Sequence, residues 1–520
     1  MGPRLAAAWA LLPGYLGQHV LLSACALLLG LAISLPLAVA ASRSAAVRWP
    51  SLLIASLIQT IPSLALLALF YPLLLALSAV SVSLIGRGFP SLGFLPSLLA
   101  LTLYSMLPIL RNGVAGLTGV DPAIVEAARG VGMTDRQRLI QVELPLAAPV
   151  IMAGVRTAAV WTIGAATLAT PVGQTSLGNY IFSGLQTENW VFVLFGCGAS
   201  AGLALAADQL LGLIESGLAM RRRWRIVAGL VGLVVGALAA LAPLASFGGG
   251  PVRYVVGAKD FSEQYILADV IADRLQHAGA AVSQKEDLGS TFAYSGLKAG
   301  EIDTYVDYSG TLWANILGRT DNPGRRAVLD QLTAALKRRD GVVVLGSLGF
   351  ENAYALAMRR AEADKLGIRT LADLAAHAGD LTLGADLEFL SRPEWASVQR
   401  AYGLRFKRQA EYQPTFMYRA LTSGQADVIS AFSSDGRIAA DDLVVLDDPR
   451  HALPPYDAVV LVSPKRANDR RLLAALKPLI GGISVEAMRA ANLTVDRDQD
   501  KATPAQAAKA LEAKLGPPPP

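Results

Sequence analysis

The chain has 520 residues, of which 53% are hydrophobic and 17% charged, against about a quarter charged in an ordinary soluble protein. That average describes neither half: residues 1–250 hold 13 Arg, no Lys and 7 acids, whereas residues 251–520 hold 33 basic and 34 acidic residues. One globular domain, a disordered chain and a small disulfide scaffold are excluded, and because the net charge of +5 resides in the apolar half, so is a nucleic-acid binder of the usual basic kind.

Residues 19–41 form a long apolar run followed by Arg43 and Arg48. A signal peptide is the alternative, but only Arg4 precedes the run and another apolar segment follows at once, so the run reads as a membrane span. Further spans are expected at roughly 51–80, 93–117, 147–170, 190–218 and 226–246, with Pro62 and Pro72 kinking or breaking the second. The short-loop arginines set the orientation. Arg43 and Arg48, then Arg129, Arg136 and Arg138, then Arg221, Arg222, Arg223 and Arg225 fall in loops on one side, the cytoplasm; Arg87 falls on the other. The N-terminus and everything after Gly250 are then expected outside the cell. Cys25 and Cys197 both lie in apolar segments and carry no information on the redox compartment.

Between the third and fourth spans, residues 118–146 read TGVDPAIVEAARGVGMTDRQRLIQVELPL. Asp121 is placed to cap a helix with Pro122 in its first turn, Gly130 and Gly132 interrupt it, and a second amphipathic stretch is expected to end at Pro145. The spacing Glu126-Ala127-Ala128, Gly132, Val142-Glu143-Leu144-Pro145 resembles the coupling loop of ABC-importer permeases, with Val142 where that family has Ile. The resemblance implies an all-α permease of six transmembrane helices in a bacterial inner membrane. Its loop, through Glu126, Ala127, Ala128, Gly132 and Pro145, would dock on a cytoplasmic ATPase subunit. The chain has no G-x-x-x-x-G-K-[ST] segment, so ATP and Mg would be used by that separate partner, with no cofactor, no metal and no covalent chemistry here. The permease domain is expected over 1–225, the sixth helix and a linker over 226–252, and a permease homodimer is the economical assembly. Gln59, Thr60, Asn112, Arg156, Gln174, Asn179 and Asp208 are polar residues in or near spans, either lining a path or satisfying one another; Arg156 and Asp208 suit a structural ion pair.

The second half alternates strands and helices in a pattern of mostly parallel-sheet character. Strands are expected at 253–257, 282–285, 302–305, 342–345, 353–358, 381–384, 427–431 and 457–462, and helices at 262–277, 290–299, 324–337 and 370–377, the first capped by Ser262 or Asp260. About 270 residues suit two lobes: 253–352 with 458–515, and 360–450, joined by two crossovers that form a hinge. FGGGPV at 247–252 reads as a flexible linker, and the terminal KLGPPPP cannot continue a helix.

The stretches GAKDFSEQYILADVIADRL, DLGSTFAYSGLKAGEIDTYVDYSGT, FENAYALAM, EFLSRPEW, YRALTSGQADVISAFSSDGRI and PPYDAVV resemble binding proteins of the glycine betaine, choline and carnitine (osmoprotectant) class over 253–510. The resemblance implies that Tyr308, Tyr354, Phe432 and Tyr456 wrap a quaternary ammonium and that Arg392 takes a carboxylate. Phe432 stands where relatives carry a tyrosine. Thr311 and Asn352 would add hydrogen bonds, and Asp260, Gln264 and Asp435 are further cleft candidates. The chemistry points the same way: a trimethylammonium offers no N–H, whereas ring faces attract it by about 0.5–2 kcal/mol each. Trp313 and Trp395 read as packing residues. The expected function is therefore import of a betaine or choline-like solute. Ergothioneine, or an amine or amino acid gripped by Asp260 or Asp435, is the alternative; a membrane-anchored sensor would not need the coupling loop. The four His residues (19, 277, 377 and 451) are scattered, and no nucleophile–base arrangement supports an enzyme.

Overall fold

The structure is a computed structural model that describes residues 3–86, 88–187, 189–245, 253–319, 321–386, 389–497 and 500–515. The expectations for Arg87, for the linker at 247–252 and for the last five residues fall outside these. The chain divides into two compact units, Met1–Phe182 with Val191–Gly249, and Ser183–Trp190 with Gly250–Pro520.

The first unit is helical: α1 (Pro3–Arg43), α2 (Ala45–Thr60), α3 (Ser63–Ile85), α4 (Phe94–Thr118), α5 (Pro122–Gly130), α6 (Asp135–Arg138), α7 (Leu144–Ala166), α8 (Gly178–Gln186), α9 (Trp190–Ala219) and α10 (Arg223–Ala245). Among the described residues, six helical stretches are long and apolar enough to span a bilayer. The second span is Ser63–Ile85 rather than 51–80. Pro62 forces Ile61 into extended backbone, and Ala45–Thr60 becomes a separate helix. The stretch expected to end at Pro145 does not end there. Asp135 to Val172 is one continuous helical run, with a π turn at Leu139–Glu143 leading into α7 directly before Pro145, where the wider turn accommodates a residue that has no N–H to continue the helix ladder.

Small residues let these helices approach. A Cβ on Gly30 would fall 1.9 Å from Ser105 Oγ, and one on Gly113 would fall 2.7 Å from Ala38 Cβ, so each of α1 and α4 seats a small side chain of the other against a glycine. Buried His19 ties α1 to the Ile163 carbonyl at 3.0 Å and to the Leu177 N–H at 3.3 Å. Gln59, Asn112, Gln174 and Asn179 each bond backbone groups. Arg156 on α7 forms the ion pair with Asp208 at 2.9 Å and a second with Glu215 at 2.7 Å, both on α9. Arg156→Ala strands two carboxylates among apolar helices. It should lower unfolding stability by about 3 kcal/mol, read as a fall in melting temperature in detergent. An unchanged melt would show the pair to be idle.

The second unit carries two five-stranded sheets. The first has the order β2-β1-β3-β10-β4 and the second β7-β6-β8-β5-β9. The strands are β1 (Arg253–Lys259), β2 (Ala281–Leu288), β3 (Thr304–Tyr308), β4 (Val343–Glu351), β5 (Tyr354–Arg359), β6 (Thr382–Asp386), β7 (Arg408–Tyr412), β8 (Val428–Phe432), β9 (Leu443–Val445) and β10 (Asp457–Val462). Each sheet with its helices makes one lobe. The sheets are mixed, not mostly parallel: β10 runs antiparallel to β3 and β4, and β5 antiparallel to β8 and β9. The reason is the crossover, since a strand entering from the other lobe starts at the opposite end of its new sheet. β3 and β10 are central strands buried along their whole length, with the buried Asp307 paired to Lys259 and the buried Asp457 to Arg325. The strand expected at 302–305 lies at Thr304–Tyr308. Helix α11 spans Ser262–His277, with Phe261 rather than Ser262 or Asp260 at its N-cap. The Ser262 hydroxyl instead donates to Asp496 at 2.6 Å.

Candidate functional site

Between the two lobes lies a cavity of about 270 Å³. Five rings follow one another along it. Tyr308, at the end of β3, lies 6.1 Å from Phe261, and Phe261 lies 6.4 Å from Phe432 at the end of β8. Phe432 lies 4.9 Å from Tyr354, the first residue of β5, and Tyr354 lies 5.7 Å from Tyr456 in an edge-on contact. All five line the cavity, as do Thr311, Asn352, Arg392, Asp260 and Asp435. Strand ends and crossovers position them: Asn352 N–H donates to the Tyr456 carbonyl at 2.9 Å, clamping the two crossing segments together.

Gln264 is the sequence candidate that does not line the cavity. Its amide sits behind a ring, donating to the Tyr308 hydroxyl at 3.0 Å. The Tyr308 hydroxyl in turn donates to Glu263 at 2.5 Å. Arg392, 8% exposed, lies 5.2 Å from the Tyr354 ring centre and 3.7 Å from Glu394, which also accepts from the Tyr456 hydroxyl. Asp435 is committed to Arg437 at 2.8 Å, which leaves it poorly suited to grip an amine alone. Trp313 and Trp395 are buried packing residues.

Sequence reasoning missed Glu263, Phe261, Ser434 and Asn492. Glu263 is 3% exposed and accepts from Tyr308, from Asn352 Nδ2 at 3.1 Å, from Ser434 Oγ at 2.6 Å and from Asn492 Nδ2 at 2.8 Å. Burial pushes its carboxyl above the usual range and these four bonds oppose the rise. Burial, then the neighbouring carboxylates, push the Tyr308 and Tyr456 phenols well above theirs. Burial lifts Asp496 to about 7 against the attraction of Arg437. Among the described residues, the buried Asn352 Oδ1 and Asn492 Oδ1 accept no hydrogen bond.

In the first unit, the Asp121 carboxylate caps α5 through Ala123 N–H at 2.8 Å, with Pro122 in the first turn. Glu126, Ala127, Gly132 and Pro145 are exposed and Ala128 is buried. Gly132 has φ +82, a left-handed turn that suits glycine. Glu143 anchors the loop: it is buried and accepts from Arg43 at the end of α1 at 2.5 Å and from Arg138 at 2.9 Å.

A helical unit with six membrane-length spans, followed by a two-lobed α/β unit with a cleft between its sheets, defines a multi-pass transport protein with its own solute-binding module. Comparison with known families agrees on both halves. Residues 252–513 match the substrate binding domain of ABC-type glycine betaine transport systems, and residues 30–220 match the inner membrane component of binding-protein-dependent transport systems. The chain belongs to this family of ABC importers, as a permease domain fused to a substrate-binding domain.

Among its relatives is the ergothioneine transport permease/ergothioneine binding protein EgtU of Helicobacter pylori, 28% identical over 426 residues, 79% of this chain and 73% of that one. The choline transport system permease protein OpuBB of Bacillus subtilis is 39% identical over 38% of this chain and 84% of its own length. A crystal structure of a glycine betaine/carnitine/choline ABC transporter is similar at 26% identity, with a TM-score of 0.45 over 51% of this chain and 100% of that one. These relatives are transport components, not enzymes.

Proposed function

We propose that this chain captures a trimethylammonium zwitterion, a betaine, outside the cell and passes it inward through its own permease domain. The observation that carries the reading is the row of five rings beside buried Arg392 in one cleft. Ring faces hold a cation that has no N–H. A guanidinium holds a carboxylate with a directional fork. Closure of the lobes excludes water and strengthens both. The binding unit faces the outside by the arginine distribution of the loops. In this reading a separate cytoplasmic ATPase docks on the loop around Glu126, uses ATP and Mg, and drives a permease homodimer.

A second reading, ergothioneine, is favoured by two observations. The relative matched across both halves bears that name. The unoccupied acceptors Asn352 Oδ1 and Asn492 Oδ1 suit an imidazole N–H, which simple betaines lack.

Calorimetric titration of the full-length chain in lipid nanodiscs against glycine betaine, carnitine, choline, ergothioneine and free amino acids tests both readings. Preference for a free amino acid over every trimethylated compound would overturn them. Arg392→Ala should weaken zwitterions about 100-fold more than it weakens choline, because choline has no carboxylate to lose. Equal losses would remove Arg392 from that role.

A further inference from the structure

The rings at the two ends of the row share a feature. The Tyr308 hydroxyl donates to buried Glu263, and the Tyr456 hydroxyl donates to buried Glu394. A phenol that gives its proton to a carboxylate gains electron density on oxygen and passes it to the ring, and its face then attracts a cation more strongly. The two carboxylates differ in what surrounds them. Glu394 lies 3.7 Å from Arg392, which offsets its charge. The partners of Glu263 are Tyr308, Asn352, Ser434 and Asn492, all neutral, and among the described residues no basic side chain pairs with it. Lys259, 5.2 Å from the Tyr308 ring centre, is matched by Asp307 at 2.5 Å. Arg437 is matched by Asp435. Four donors converging on two carboxylate oxygens suit the ionised form.

We infer that Glu263 is a specificity-determining positioning residue: acting through the Tyr308 phenol, its carboxylate, which no basic side chain among the described residues pairs with, biases the cleft toward a cation over a neutral molecule of the same shape. The inference rests on the reading of the cleft as a trimethylammonium site. It goes beyond the ring cage, because it assigns the preference for charge to a buried carboxylate bonded to one ring of the cavity rather than to the ring faces alone. It also gives a reason for burying a carboxylate at the lobe boundary, since Tyr308 and Asn492 belong to the first lobe and Ser434 to the second.

The test compares each cation with its carbon isostere on the full-length chain in nanodiscs: choline with 3,3-dimethyl-1-butanol, and glycine betaine with 3,3-dimethylbutanoate. Wild type should favour the cation of each pair. If it does not, the trimethylammonium reading fails, whatever the role of Glu263. Given that preference, Glu263→Gln should lower affinity for the cations about tenfold and shift the isosteres by less than about twofold. Tyr308→Phe keeps the ring and the carboxylate but cuts the link between them, so it should reproduce most of the cation-selective loss. It also covers the case in which Glu263→Gln does not fold. Equal losses for cation and isostere in both variants would make Glu263 a scaffold residue and overturn the inference, as would no loss in either.

Discussion

Tyr456→Ala is expected to lower ligand affinity by at least about 100-fold while the chain still folds. The ring is 2% exposed, meets Tyr354 edge-on at 5.7 Å and donates its hydroxyl to Glu394. Its loss removes a ring face from the cleft, leaves a cavity and strips Glu394 of a donor beside Arg392. Truncating a buried aromatic costs about 3–5 kcal/mol, and here much of that cost falls on the bound state. The same face can be disturbed from behind. A Cβ on Gly310 would lie 2.6 Å from Tyr456 Cε2 and Cζ. The ring cannot retreat, because Glu394 holds its hydroxyl and the core surrounds it. Gly310→Ala, a single methyl, should therefore cost about tenfold in affinity through overpacking of about 1–3 kcal/mol. Calorimetry and thermal melts on both variants check this. Wild-type affinity in either, with the fold intact, would take Tyr456 out of the site.

Gly436→Ala should weaken binding about 10- to 100-fold by keeping the lobes apart. Gly436 lies in the second lobe, four residues beyond β8, with φ −66, a conformation alanine adopts freely. No backbone strain enters the argument. A Cβ there would instead fall 2.4 Å from Leu493 N and 2.5 Å from Leu493 Cα, on the helix Val485–Asp496 of the first lobe. Helix backbone cannot yield as the tip of a flexible side chain can. The same helix supplies Asn492 to Glu263 and Asp496 to Ser262, so a shift here loosens the polar contacts behind Tyr308. Spin labels on the two sheets of the full-length chain would report a shorter distance on ligand addition in wild type and a smaller change in the variant. An unchanged distance change with unchanged affinity would show that the contact does not limit closure.

The residues that the sequence made visible share one property: their signal is local. The apolar runs of the spans, the buried run Asp457–Val462 and the Asp121-Pro122 helix start are each readable within a few residues. The strands that escaped notice lack such a signal. Arg408–Tyr412 is a polar edge strand without apolar alternation, and Leu443–Val445 is three residues long. Glu263 escaped for another reason. Its partners lie 45, 89, 171 and 229 residues away along the chain, and a glutamate in the first turn of a helix ordinarily faces water. Its neighbour Gln264 carries the same sequence signal for the cleft. The helix turn places the two side chains differently, so that Glu263 lines the cavity and Gln264 does not.

Local sequence alone establishes an apolar helical half and a charged α/β half, with a helix–turn–helix between the third and fourth spans and aromatic residues at strand ends. Hydrophobic periodicity and turn residues act over a few positions and need no partner to be read. Which rings adjoin, that two of their hydroxyls end on buried carboxylates, and that the sheets run mixed are set by long-range contacts. Those outcomes depend on where two crossovers bring distant segments together, and the closing of long loops leaves no trace in local composition.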